Sequence, residues 1–302
     1  MVKITIIITT YNSSEFIVKT VDSILNQEGK GIDFDIEVIA VDDCSPDGTL
    51  DVLKQLDVIA LSTETNSGGP NAGRNIALKK ATGDYICLTD HDDEWALNRL
   101  SSILPYVHKA PIITTGYEII DSVNNRTTLR YNPDDITPIH YSKNETFLHK
   151  LSKKPGGQNT HLGCIMFNCL LKDTFFEDSH GAVDFDWVLR LFYQQESIEI
   201  PILAYTRIVD GSNLSLNENY RKADFNAALK YIESKKSEFP KEAQIGLKRV
   251  HGTIARYYYL IDNMKMARKY LRKAPFTLKT IMYYLTSYIG SGWVKKKFHI
   301  FG

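Results

Sequence analysis

The sequence contains few cysteines, no long apolar run and no net charge, and each absence excludes a class of protein. Its four cysteines among 302 residues show neither the C-x-x-C spacing of metal and redox sites nor the density of a disulfide-stabilised domain. No stretch approaches the roughly 18 consecutive apolar residues of a membrane-spanning helix, and no signal-peptide pattern opens the chain. We therefore expect a globular protein in a reducing cytoplasm.

The zero net charge conceals two parts of opposite charge. Residues 1–218 carry 18 Lys and Arg against 31 Asp and Glu, whereas residues 219–302 carry 18 against 5. Because helical periodicity runs throughout the second part, we predict a domain over 1–218 and a basic helical extension over 219–302. Trp293 and Lys295–Lys297 suit an anionic membrane surface; a helical cover packed on the domain is the alternative. No nucleic-acid-binding motif accompanies the charge, so we expect no nucleic-acid partner.

Strand and helix patterns alternate along the first 90 residues. The predicted strands are Lys3–Thr9, Ile36–Val41, Val58–Ser62 and Asp84–Thr89. The predicted helices run from caps at Asn12 and Ser13 to Gln27, over Thr49–Leu56 and over Asn71–Ala81. Farther along, the patterns predict a hairpin of Ile112–Ile120 with Thr127–Tyr131, a helix over Asp184–Gln195 and a strand over Ile198–Val209. This order predicts an α/β fold with a mainly parallel sheet flanked by helices.

Polar and acidic residues follow three of the predicted strands. Thr10, Tyr11 and Asn12 follow the first, Asp42 and Asp43 the second, and Asp90 and Asp92 the fourth. Ligands of open parallel sheets bind at the carboxyl ends of the strands, so these residues are candidates for one site. The two carboxylates of Asp90-x-Asp92 suit a hard divalent ion such as Mg²⁺ or Mn²⁺, although aspartates that cap a helix before Trp95 would give the same pattern.

Two other nucleotide-binding classes share this beginning but are excluded by the turn after the first strand. A dinucleotide-dependent oxidoreductase requires G-x-G-x-x-G there, and a nucleotidyltransferase normally has a glycine-rich loop with Arg or Lys. The turn instead reads TYNSSE.

Four ordered motifs together resemble the family 2 glycosyltransferases. They are Thr10-Tyr11-Asn12, Val41-Asp42-Asp43-Cys44-Ser45, the segment Asn66–Asn75 (NSGGPNAGRN) and the segment Gly83–Asp93 (GDYICLTDHDD). The resemblance covers about residues 3–215 and implies an inverting enzyme of the GT-A fold. It further implies that the donor nucleotide is bound by Thr10, Tyr11, Asn12, Asp42, Asp43, Arg74 and Asp90, and that Asp90 and Asp92 hold the metal.

The same resemblance implies a general base just ahead of a helix. Val183-Asp184-Phe185-Asp186 occupies that place, with Val183 where relatives have an acidic residue. Asp184 is therefore the expected base, with Asp186 as the fallback and a helix cap as the alternative role of Asp184. Relatives also carry a His near Val209 that can reach the metal or diphosphate; without it, the third protein ligand of the metal is open. Gln158–His161 with Gly163 and Cys164 would line the acceptor pocket.

The expected function is transfer of a sugar from a nucleoside diphosphate, with uridine preferred over thymidine and guanosine. The acceptor would be a glycan or a lipid-linked oligosaccharide of a bacterial cell-envelope polysaccharide. We expect a cytoplasmic enzyme, with peripheral contact to the inner face of the membrane through the basic extension. A catalytically silent GT-A subunit that only binds a sugar or its carrier is the alternative.

Overall fold

The expected alternation of strands and helices is present in the computed structural model, which describes residues 1–177, 184–209 and 218–292. In these residues the strands are β1 (Val2–Thr10), β2 (Phe34–Asp42), β3 (Ile59–Ser62), β4 (Tyr85–Asp90), β5 (Glu94–Trp95), β6 (Ile112–Asp121), β7 (Arg126–Leu129), β8 (Ile139–Tyr141), β9 (Ile165–Asn168) and β10 (Ser197–Val209). The helices are α1 (Ile17–Leu25), α2 (Thr49–Leu53), α3 (Pro70–Lys80), α4 (Arg99–Ile103), α5 (Glu145–Leu151), α6 (Phe185–Phe192), α7 (Glu218–Ser234), α8 (Pro240–Leu260), α9 (Met264–Leu271) and α10 (Leu278–Thr286).

All of these strands join one sheet, whose two halves differ. The main order is β3-β2-β1-β4-β9-β6-β10-β5, with β7 on β6 and β8 on β10. The pairs β2/β3, β1/β2 and β1/β4 are parallel, as expected. Beyond β4 the sheet is mixed, because β9 enters antiparallel to both β4 and β6. β9 is not predicted from the sequence, since its four residues are too few to show a period.

The centre of the sheet is buried on both faces, which explains the continuous apolar sequence of β1. Ile4, Ile6, Ile7 and Ile8 are each at most 1% exposed. Each such side chain contributes about 1.5–3 kcal/mol by its burial. The inner stripe of α1, formed by Ile17, Val21 and Ile24, adds to this core. The rigid sheet fixes the positions of its strand ends.

The prediction that Asn12 and Ser13 cap α1 is wrong. The helix begins at Ile17, and its N-cap residue Phe16 makes no side-chain capping bond. Asn12 has a left-handed backbone, with φ of 52°. The backbone N–H groups of Asn12 and Ser13 donate to Ser45 Oγ and Thr49 Oγ1 instead, at 3.0 and 2.8 Å. The turn after β1 is thus tied to the turn after β2, and the helix starts later.

The predicted hairpin is present as β6 and β7, which pair antiparallel. The predicted helix ahead of the last long strand is α6, and that strand is β10, parallel to β6. Every helix after β10 lies in the part of the sequence predicted to be helical, among the residues that the structure describes.

The chain divides into two compact units. The first comprises Met1–Phe147 and Gly156–Asp224, and the second comprises Leu148–Pro155 and the chain from Phe225 onward. The second unit has its own small core, made of Ala255, Tyr259, Ala267, Leu271 and Tyr283. The boundary predicted at 218/219 lies a few residues before this division. Trp293 and Lys295–Lys297 lie outside the described residues. Within the described residues, no helix has the length and apolar character needed to cross a membrane.

Candidate active site

A cavity of about 540 Å³ lies within the first unit, at the carboxyl ends of β1, β2 and β4. Its lining includes seven of the residues predicted from the sequence: Thr10, Tyr11, Asp43, Arg74, Asp90, Asp92 and Asp184. Three strand ends and the start of α6 therefore meet in one cleft. Of the predicted residues, Asn12 and Asp42 are not part of the lining.

Asp42 instead holds the turn together. The residue is 1% exposed. Its Oδ1 accepts hydrogen bonds from Thr10 Oγ1 at 3.0 Å and from Ser45 Oγ at 2.5 Å, and its Oδ2 accepts from the Ser45 N–H at 2.9 Å. These bonds fix the ends of β1 and β2 to each other. The structure thus gives Asp42 internal partners and presents its neighbour Asp43 to the cleft.

Asp43 is held rigidly by the loop that precedes α3. Its carboxylate accepts from Thr63 Oγ1 at 2.9 Å and from the N–H and Oγ of Ser67 at 3.0 Å. Gly68 has a φ of 80°, a conformation that glycine adopts without strain. A carboxylate held in this way is a fixed acceptor for an N–H or O–H donor on a ligand.

Arg74 and Asp90 form a partly buried ion pair in the cleft. Arg74 Nη2 donates to Asp90 Oδ1 at 2.8 Å, and Nη1 donates to Asn71 Oδ1 at 3.2 Å. The guanidinium also lies over the Phe176 ring, 5.2 Å from its centroid. Burial, the largest single influence, would raise the pKa of Asp90, but the charge of Arg74 together with those of nearby His and Arg side chains lowers it, which favours the ionised carboxylate.

Gly73 lets α3 approach the sheet closely enough to place Arg74 at the cleft. A Cβ at this position would lie 3.0 Å from Thr9 Cγ2 and 3.4 Å from Val41. The missing side chain lets α3 pack closely on β1 and β2, which brings the next residue of the helix to the cleft.

Asp93 also lines the cleft, and it connects the segment between β4 and β5 to the distant strand β10. Its Oδ1 accepts from the Ile208 N–H at 2.9 Å, and its Oδ2 accepts a short hydrogen bond from the Tyr205 hydroxyl. Burial, together with the charges of Asp90 and Asp92, raises the pKa of Asp93 to about 8. Asp93 ends one of the four sequence motifs, but no role is predicted for it from the sequence, because its partners are more than 100 residues away.

The acidic residues of the cleft suit a metal ion that takes some of its ligands from the substrate. No cluster of three His, Cys, Asp or Glu residues suited to a metal occurs in the described part of the chain. Asp90 and Asp92 nevertheless both line the cleft. Mg²⁺ and Mn²⁺ commonly take one or two carboxylates and complete their coordination with phosphate oxygens and water. The pair therefore suits a divalent ion that arrives with a diphosphate.

Asp184 stands at the N-cap position of α6 but makes no side-chain capping bond. The helix-cap role is thus not supported by its contacts. The residue is exposed, yet the surrounding protein raises the pKa of its carboxyl to about 6. Desolvation is the largest cause; the charges of Asp224 and Asp90 also raise it, and Arg74 opposes them. A carboxylate with such a pKa is a stronger base than an ordinary aspartate.

Asp186 is differently placed. It is 4% exposed, and its Oδ2 accepts from Arg190 Nη2 at 3.0 Å. It is not among the residues that line the cleft.

Several lining residues were not predicted from the sequence. Arg207 and Ile208 come from β10, and Tyr220, Arg221 and Asp224 come from the start of α7. His91 also lines the cleft and stacks on Phe16 with a centroid distance of 5.3 Å. The lining of this cleft does not include the segment Gln158–Cys164, in which Gln158 and Cys164 are buried.

Comparison with known proteins adds family-level information. A family model described as "Glycosyl transferase family 2" matches residues 5–176, more than half of the chain. The poly(ribitol-phosphate) beta-N-acetylglucosaminyltransferase TarS of Staphylococcus aureus is 40% identical over 97 residues, 31% of this chain and 17% of the relative. The UDP-Glc:alpha-D-GlcNAc-diphosphoundecaprenol beta-1,3-glucosyltransferase WfaP of Escherichia coli is 27% identical over 239 residues, 68% of this chain and 90% of the relative.

A poly(ribitol-phosphate) beta-glucosyltransferase of Bacillus spizizenii is 44% identical over 96 residues. That match covers 30% of this chain and 15% of the relative, so the chain aligns with only a small part of this protein and of TarS.

Among solved structures, S. aureus TarS 1–349 in complex with UDP-GlcNAc matches with a TM-score of 0.68 and 18% identity, covering 98% of this chain and 92% of that chain. Together with the family model, this likeness confirms the predicted GT-A fold.

Proposed function

Since the chain belongs to glycosyl transferase family 2, we propose that it transfers a sugar from a nucleoside-diphosphate sugar to an acceptor hydroxyl, with inversion at the anomeric carbon. The observation that carries this proposal is the convergence of Asp43, the Arg74–Asp90 pair, Asp92 and Asp184 in one cleft. Asp43 suits a base or ribose. The Arg74–Asp90 pair and Asp92 suit a metal ion with a diphosphate, and Asp184 suits an attacking hydroxyl.

The donor we propose is uridine-linked. The carboxylate of Asp43 is fixed by Thr63 and Ser67 and can accept from the ring N–H of uracil. Tyr11 is 44% exposed at the cleft, where its ring can stack on a planar base. Thymine shares this N–H group, so thymidine-linked donors are the second choice and guanosine-linked donors the third. The TarS structure with UDP-GlcNAc supports uridine as the first choice.

Inversion requires a base on the side of the sugar opposite the leaving group. In the proposed step, Asp184 takes the proton of the acceptor hydroxyl as its oxygen forms a bond to the anomeric carbon. The bond from that carbon to the diphosphate breaks, and the diphosphate leaves with the electron pair. The raised pKa of Asp184 favours this proton transfer.

Asp90 and Asp92 would hold Mg²⁺ or Mn²⁺ against the diphosphate. When bound, the ion would offset the negative charge that develops on the leaving group. Arg74 and the other cationic side chains around Asp90 lower its pKa, and the ionised carboxylate is the form that binds a metal ion.

For the acceptor we propose a glycan or lipid-linked oligosaccharide of a cell-envelope polysaccharide. WfaP is named for a diphosphoundecaprenol acceptor, and so is a glucosyltransferase of Campylobacter jejuni, whereas TarS is named for poly(ribitol phosphate). A cytoplasmic location belongs to the same proposal.

Peripheral membrane contact would place the enzyme near such an acceptor. Large apolar side chains are exposed on and around α10, namely Phe276, Leu278, Leu285, Tyr288 and Ile289. Exposed Lys273 and Lys279 lie beside them in the sequence. Apolar groups bordered by cations suit an anionic bilayer surface.

Vesicle flotation tests this contact. The protein should float with vesicles that contain phosphatidylglycerol. Leu285→Glu should abolish flotation, whereas Ile136→Glu, at an exposed site of the first unit, should leave flotation unchanged. Equal flotation of both variants, or none by the native chain at low salt, would contradict the membrane contact.

The main experiment separates an enzyme from a silent binding subunit. The chain would be incubated with UDP-sugars and Mn²⁺, and released UDP would be measured with and without an acceptor. We expect UDP release with the native chain and far less with Asp184→Asn, while both bind UDP. UDP binding without any turnover would favour the silent subunit, and absence of nucleotide binding would contradict the proposed function.

A further inference from the structure

The cleft contains more cationic groups than the sequence pattern assigned. Asp43, Asp90, Asp92 and Asp184 give it an acidic lining, which by itself would repel a diphosphate. Arg74 offsets part of this charge, but its guanidinium is already engaged by Asp90 and Asn71. Recognition of an anionic donor therefore calls for further positive charge in the lining.

Arg207 supplies such a charge from the opposite half of the sheet. It belongs to β10 and lines the same cleft as Asp90. The same lining includes Asp92, so Arg207 brings its positive charge to the cleft in which the metal and the diphosphate are expected.

Asp93 fixes this segment of β10. Its two carboxylate oxygens accept from the Tyr205 hydroxyl and from the Ile208 N–H, so the bonds fall on both sides of Arg207. Tyr205 also pairs with Trp95 of β5 in the sheet. The loop that carries Asp90 and Asp92 is thus tied directly to the backbone that carries Arg207.

We propose that Arg207 binds the diphosphate of the donor and that Asp93 is the positioning residue that holds it there. The inference rests on the proposed nucleotide-sugar function. A guanidinium can donate two parallel hydrogen bonds to phosphate oxygens. Because it is held in place before reaction, it would also stabilise the charge that builds up on the leaving diphosphate.

The test compares UDP with uridine, which lacks the diphosphate. Both would be titrated at saturating Mg²⁺ against the native chain, Arg207→Gln and the control Arg126→Gln, which removes the same charge at an exposed site on β7. Losing a charge-assisted contact should weaken UDP binding by about 10- to 100-fold. Uridine binding should change less than about twofold, and Arg126→Gln should match the native chain for both.

Asp93 needs a separate set of variants, since a positioning role must be distinguished from general destabilisation. Asp93→Ala should weaken UDP binding in the same selective way, and Asp93→Asn, which can still accept from the Ile208 N–H, should restore most of the affinity. If Asp93→Ala does not fold, Tyr205→Phe removes one of the two bonds and should show a smaller selective loss.

The possible outcomes distinguish failure of the proposed function from failure of the inference about Arg207 alone. A native chain that binds neither UDP nor uridine would overturn the proposed function and this inference with it. Native binding of UDP combined with unchanged UDP affinity of Arg207→Gln, or an equal loss for UDP and uridine, would overturn this inference alone.

Discussion

Gly163 and Tyr205 are in such close contact that a Cβ on Gly163 would lie 2.1 Å from Tyr205 Cζ. The glycine belongs to a short, buried 3-10 helix, Leu162–Cys164. The same tyrosine donates to Asp93 and is 1% exposed. The absence of a side chain at Gly163 therefore allows the Tyr205–Asp93 contact, which links β10 to the acidic segment that follows β4.

Gly163→Ala should destabilise the fold and weaken UDP binding together. No real Cβ tolerates a 2.1 Å contact, so the Tyr205 ring must move, and overpacking of this kind costs about 1–3 kcal/mol. Chemical denaturation and UDP titration measure the two effects. Gly252→Ala is the control, because a Cβ in α8 would meet atoms only at 3.6 Å and should stabilise the helix by about 0.5–1 kcal/mol. A Gly163→Ala protein as stable as the native chain would contradict this account of the packing.

Asp184→Asn should lose transfer while binding nucleotide normally. Removal of a positioned base costs about 10²–10⁴-fold in rate, and the proposed nucleotide contacts lie elsewhere in the cleft. Asp186→Asn is the matched comparison two residues away; its side chain pairs with Arg190 outside the cleft lining, so its effect on transfer should be much smaller. Single-turnover transfer and UDP titration measure both. Near-native transfer by Asp184→Asn, or a product with retained configuration, would contradict the mechanism.

The rate of transfer should fall at low pH as the carboxylate of Asp184 becomes protonated. The base must be ionised, and its pKa is raised to about 6. The value of kcat/KM should therefore be highest above that pH and fall up to tenfold per unit below it.

Because the charge of Asp224 raises the pKa of Asp184, Asp224→Asn should move the acid limb to lower pH. Asp57→Asn, at an exposed position outside the cleft lining, should leave it in place. An acid limb near pH 4 in the native chain would argue against Asp184 as the base.

Removal of the divalent ion should abolish turnover. Asp90 and Asp92 are the proposed ligands, so EDTA should stop the native reaction and added Mn²⁺ should restore it. Asp92→Ala should lose the metal-dependent rate while keeping a native unfolding transition, which circular dichroism can check. Native turnover that is unaffected by EDTA would show that the reaction proceeds without the ion.

The sequence determined the first half of the sheet and brought together several residues of the cleft. A continuous β-branched run such as Lys3–Thr9 favours a strand buried on both faces, and the parallel strands that follow place their carboxyl ends at one edge. Thr10, Tyr11, Asp43, Asp90 and Asp92 could therefore be brought together from their positions alone. Asp184 and Arg74 required the resemblance to a family, because no strand end precedes them.

The tertiary structure decided which neighbours face the cleft and which distant residues join them. Asp42 and Asp43 have the same chemistry, but the contacts of Asp42 with Thr10 and Ser45 turn it inward. Asp93 meets Tyr205 across 112 residues, a pairing that leaves no local period in the sequence. Arg207 reaches the cleft only because β10 crosses back beside β6 and β5. Contacts of this kind depend on which distant strands become neighbours in the sheet. That arrangement is set by packing between segments far apart in the chain.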